Sequence, residues 1–142
     1  MAPPIRLSLD ERDQNRPLLA VALLGVATAL VLAIFGLPGA DLHGPLHRAG
    51  IMDPFCGGTR ALRLAARGDI AGSLWWNPLS LILLAGALAF LVRTAVGLTL
   101  HRWLNATVVW SDRRLWLVLG FVALALEARQ QSMREVLMRP GY

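Results

Sequence analysis

The chain has no lysine: all fourteen of its basic residues are arginine. With the abundance of Ala, Leu and Gly, that bias suggests the codon usage of a GC-rich bacterial genome. Cysteine is nearly absent too, and the one residue, Cys56, excludes an internal disulfide and leaves the redox compartment open. Charged residues make up only 16% of the chain against 56% hydrophobic ones, and the mean hydropathy is +0.53, more apolar than a soluble domain of ordinary composition. The expected solvent is lipid. Nucleic acid is not an expected partner, because the net charge of +5 is distributed between apolar runs, where arginine meets lipid phosphate. The P-loop, HExxH and GxSxG signatures are all missing, so no enzyme is expected.

What the chain does have is long apolar runs. Residues 18–37, LLAVALLGVATALVLAIFGL, are twenty without a charge, enough to cross a hydrocarbon core. PGAD follows instead of a small-residue cleavage site, so the run reads as an uncleaved anchor. A second span, 78–100, opens at Asn77-Pro78, where Asn caps a helix and Pro suits its first turn. Trp75 and Trp76 stand just before it, as in the aromatic belt of an interface. Arg93 falls inside this span and is expected to snorkel outward or to face another helix. A third span, 113–128, has an apolar centre of only twelve residues, bracketed at its start by Trp110 and Trp116.

The expected fold is therefore all-α: an integral membrane protein of about three transmembrane helices with an interfacial helical hairpin between the first two. Residues 1–16 read as a disordered tail, 17–128 as the membrane domain with an interfacial segment over 41–76, and 129–142 as a C-terminal tail lying on the surface. Arginines near the spans number three, four, three and three from the N-terminal tail onward, which gives no orientation.

Between the first two spans, TRALRLAAR places Arg60, Arg63 and Arg67 on one helical face. Gly68 suits a helix stop and Asp69 a fresh N-cap, so a second short helix leads into Asn77. The arginine face reads either as a cationic surface against anionic headgroups or as a phosphate or carboxylate site built on Arg60.

The segment Cys56-Gly57-x-Thr59-Arg60-Ala61, followed by Gly68-Asp69 and Asn77-Pro78, resembles the bacterial membrane family called domain of unknown function 2752. The likeness runs from about residue 53 to residue 79. It implies a small multi-span protein of the bacterial inner membrane and brings no activity with it. Where the family pattern begins Cys-Pro, this chain has Asp53-Pro54, so a CxxC disulfide cannot form.

Two chemistries remain as alternatives at this segment. His43, His47, Asp53 and Cys56 supply two imidazoles, a carboxylate and a thiolate acceptable to zinc or a similar metal, although no standard ligand spacing is matched. Cys56 with a histidine base would be a nucleophile if its pKa were lowered. A structural reading needs neither: Gly57 and Gly58 allow a tight turn, Thr59 caps the helix, Cys56 packs beneath, and Asp53 pairs with Arg60 or Arg63. The expected role is a non-enzymatic accessory, assembly or scaffold protein that offers Arg60, Arg63, Arg67, Trp75 and Trp76 to membrane lipids, a partner membrane protein or a second copy. A small oligomeric transporter is a further alternative, but Thr28, Ser80, Arg93 and Thr94 are too sparse to form a polar path.

Overall fold

A computed structural model describes residues 5–37, 47, 49–108 and 113–138. In chain order the elements are β1 (Ile5–Asp10), α1 (Pro17–Phe35), α2 (Gly58–Ala66), α3 (Ile70–Trp76), α4 (Pro78–Leu100), β2 (Trp103–Val108), α5 (Arg113–Ser132) and α6 (Arg134–Leu137). The molecule is mostly helical, and α1 and α4 are long and apolar enough to cross a membrane, with mean hydropathies of 2.8 and 2.2.

Pro17 opens α1 at a position where its missing N–H would have had no partner, and Gly36 ends it at φ 88°. The helix is apolar all round, so only a narrow stripe of Ala22, Ala29 and Leu32 is buried, and it packs against α4. Small residues there let the backbones approach. Most of the rest looks outward: Ile34 is 73% and Phe35 81% exposed. Such a surface is costly in water, at about 25 cal/mol per Å² of apolar area, and costs nothing against acyl chains.

The chain has two distinct ends. Gly36, at the close of α1, adjoins the Arg63 side chain on α2, and Asn77 joins α3 directly to α4. The short pair α2–α3 therefore sits where α1 finishes and α4 begins. At the other ends of these two helices β1 and β2 pair as an antiparallel ribbon in the register Ile5↔Val108 to Asp10↔Trp103. Helix α5 follows the ribbon and returns to α3, with Gln130 as its single buried residue.

The ribbon corrects two expectations. The segment 1–16 was expected to be disordered and the fold all-α, yet Ile5–Asp10 is a strand. IRLSLD alternates apolar and polar residues, so one face can turn outward while the other bonds inward. Arg93 neither snorkels into solvent nor meets another helix: its Nε donates to the Leu104 carbonyl at 2.8 Å, and Nη2 reaches both Asn105 Oδ1 and Asp13 Oδ1 at 2.8 Å. Trp110 and His43 lie outside the described residues.

Candidate functional site

The site is built around one turn and one asparagine. Gly57 adopts φ 74°, a left-handed conformation that costs glycine little, and precedes α2 as its N-cap. A Cβ there would lie 3.0 Å from Leu137 and 3.3 Å from the Trp76 carbonyl. The cap is thus one turn residue rather than Thr59, whose hydroxyl makes no cap bond and which lies exposed inside α2. Asn77, fully buried, donates from Nδ2 to the carbonyls of Pro54 (2.9 Å) and Cys56 (3.0 Å) and accepts at Oδ1 from the Leu79 N–H (2.9 Å). One side chain therefore caps α4 and ties the Asp53–Gly57 turn to it.

Between α2 and α3 the chain turns as the sequence suggests. Gly68, at φ 84°, donates to Ala65 O and Asp69 N–H donates to Leu64 O, a Schellman closure of α2. Asp69 then accepts from Gly72 N–H at 2.8 Å as the cap of α3.

Under the turn, Met52, Cys56 and Leu137 form a small buried cluster with Trp76 and Met133 against it. Cys56 Sγ lies 3.5 Å from His47 Nδ1 and 3.5 Å from Asp53 Oδ2. Burial first, and then the nearby Asp53 charge, push the thiol above its ordinary value. That direction is the reverse of what an activated nucleophile needs. Asp53 accepts at its other oxygen from the Phe55 N–H at 2.7 Å. Three of the four residues named as metal ligands adjoin through the sulfur, with His43 outside the described residues. Among the described residues no group of three or more His, Cys, Asp or Glu is placed to hold a metal ion.

The arginines divide. Arg60 stacks on the Trp76 ring, its Cζ 4.6 Å from the centroid, and Trp75 meets Trp76 edge to face at 4.9 Å. Arg60 and Arg63 line a cavity of about 210 Å³ together with Leu37, Leu64 and Trp76. Arg63 Nε is buried there without a hydrogen-bond partner among the described residues. Arg67 is exposed at the end of α2 and does not line the cavity.

Sequence reading missed the clasp that closes the site from behind. Arg129 donates to the carbonyls of Leu74 (3.1 Å) and Trp75 (2.6 Å), and Gln130 to that of Trp76 (3.2 Å). These are the last carbonyls of α3, where a cation is also favoured by the helix dipole. Gln131 accepts from Met52 N–H and donates to Gly50 O, so the end of α5 holds the loop as well as the helix. An Arg-Gln-Gln run after an apolar segment was the available signal, but its acceptors are more than fifty residues away in sequence.

A mostly helical chain with two helices long enough to cross a membrane and this asparagine-tied turn between them is the class the geometry defines. Residues 45–91 match the model of the family described as Protein of unknown function (DUF2752), which shows over that segment the resemblance read from Cys56-Gly57 through Asn77-Pro78. No curated protein and no solved structure matches the chain.

Proposed function

We propose that the chain is a small multi-pass protein of the bacterial inner membrane, non-enzymatic, whose α2–α3 hairpin lies at the interface and holds the phosphate of anionic lipid headgroups. The observation that carries this reading is the cavity shared by Arg60 and Arg63 at the meeting point of α1 and α4. Among the described residues its other walls are Leu37, Leu64 and Trp76, none of them acidic. Two forks set one helical turn apart suit a tetrahedral phosphate, whereas a planar carboxylate is satisfied by one. A third crossing by α5 is supported by its course from the ribbon end to the α3 carbonyls, since twenty residues of helix span about 30 Å.

The test is calorimetric binding of short-chain phosphatidylglycerol to the detergent-solubilised protein. Arg63→Gln and Leu64→Phe, the second changing no charge, are expected to weaken binding about tenfold or more, as loss of a charge-assisted hydrogen bond or of the cavity would. Arg67→Gln is expected to bind like the parent. Equal weakening by Arg63→Gln and Arg67→Gln would reduce the site to a diffuse cationic face.

A further inference from the structure

The ribbon carries a second surface that the arginine hairpin does not use. In its register, Leu9 faces Leu104, Leu7 faces Ala106 and Ile5 faces Val108, so six apolar side chains share one face. Leu7 is 67% and Leu9 69% exposed. On the opposite face Asp10, Trp103 and Asn105 are engaged by the bundle, while Arg6, Ser8 and Thr107 are exposed. Trp103 lies directly on Gly97 of α4, where any side chain would collide with the indole. Asn105, fully buried, uses its full amide: Oδ1 accepts from Gln14 N–H and Arg93, and Nδ2 donates to Asp10 and to the Arg12 carbonyl.

The depth of the ribbon follows from Arg93, which precedes the end of α4 by seven residues, roughly 10 Å of helix. Because Arg93 bonds Leu104 O and Asn105, the ribbon lies alongside the last turns of α4 and not beyond them. At that level α4 is itself outwardly apolar, with Leu98 and Leu100 exposed, so the surface of the helix continues onto the ribbon. The twenty-three residues of α4 measure about 34 Å against a hydrocarbon core of about 30 Å, which puts its last turn at the boundary.

We propose that the β1–β2 ribbon lies flat in the headgroup–acyl boundary of the bilayer, with Ile5, Leu7, Leu9, Leu104, Ala106 and Val108 against lipid. Two strands with a bare apolar face are marginal in water, and an acyl boundary supplies the missing layer. The ribbon cannot lie deeper, because the outer edge of β1 carries backbone groups that hydrocarbon would leave unsatisfied. On β2 that edge is already covered: Asn15 accepts from Ala106 N–H (2.9 Å) and donates to Ala106 O (3.0 Å). The inference rests on α4 crossing the membrane and is independent of the arginine cavity.

Single cysteines at positions 6, 7, 9 and 107, all exposed, and at Leu98 as a reference, placed in a Cys56→Ala chain and carrying a nitroxide, test it in liposomes of phosphatidylglycerol and phosphatidylcholine. Collision with dissolved oxygen is expected to exceed collision with a water-soluble nickel chelate at 7 and 9, with the order reversed at 6 and 107. Nickel access at 7 and 9 would place the face in water and overturn the proposal. Screening of both positions from both probes would mean that protein, such as a second copy, covers the face, and would overturn it equally. Nickel access at Leu98 would instead remove the crossing by α4 on which the inference stands, and the inference with it.

Discussion

Two asparagines, each completely buried, fasten the two ends of the chain. Asn77 bonds the turn at Pro54 and Cys56 to the first turn of α4, and Asn105 bonds the loop at Arg12 and Gln14 to β2 and Arg93. Amides can do this because they present donors and an acceptor together, whereas an Asp in either place would bring a buried charge and no donor. Asn77→Ala removes a cap worth ~1 kcal/mol and leaves two carbonyls unpaired, at about 1–3 kcal/mol apiece, so a loss of roughly 3–7 kcal/mol is expected. Thermal unfolding in detergent should show it, and an unchanged Tm would mean that the turn is held by something else. At this scale the sequence was half legible. Asn77-Pro78 announces a cap by residue type alone, but the bonds to Pro54 and Cys56 cross more than twenty positions and follow from no local pattern.

Among the elements, the ribbon is attached through an ion pair, Arg93 with Asp13. The hydrogen bond from Arg93 holds the Asp13 carboxyl below its ordinary value, and bonds from Asn105 and then Ser8 do the same for Asp10. A carboxylate depressed in the folded state contributes its stability in full above the unfolded value near 3.9 and loses it as pH falls through the lower folded value. Amide-exchange protection in β2 is therefore expected to hold steady above about pH 5 and to fall below about pH 4. Asp13→Asn should lower that protection already at neutral pH and flatten the acid loss. A variant with the parent's profile would show that the pair does not fasten the ribbon.

The strand itself could be read from the sequence. IRLSLD alternates strictly, but its balance of acids and arginines outweighed the period in a segment that looked too polar to order. The capping at Asp69 and the stop at Gly68 were legible because each depends on residue type within one turn. The clasp of α5 on α3 was not, since Arg129 and Gln130 read as surface residues until the α3 carbonyls appear beside them.

For the whole molecule, α1 and α4 join two unlike ends, an arginine hairpin at one and a ribbon at the other. Hydropathy made both helices plain in sequence. The return helix was less so, because α5 dilutes its apolar centre with charged termini. In the proposed arrangement its exposed Phe121 and Leu124 belong to lipid, as do the outer faces of α1 and α4. Arginine numbers cannot say which end faces the cytoplasm, but they do not bear on whether the ends are opposed.

Opposed ends are what the headgroup site, the ribbon in its boundary and the third crossing all require. In the Cys56→Ala chain, single cysteines at the exposed positions Glu11, Asp69 and Glu135 can be labelled with a membrane-impermeant thiol reagent in sealed vesicles. Asp69→Cys and Glu135→Cys are expected to label from one side of the membrane and Glu11→Cys from the other. Labelling of Glu11→Cys and Glu135→Cys from the same side would contradict the account, because α5 would then not cross.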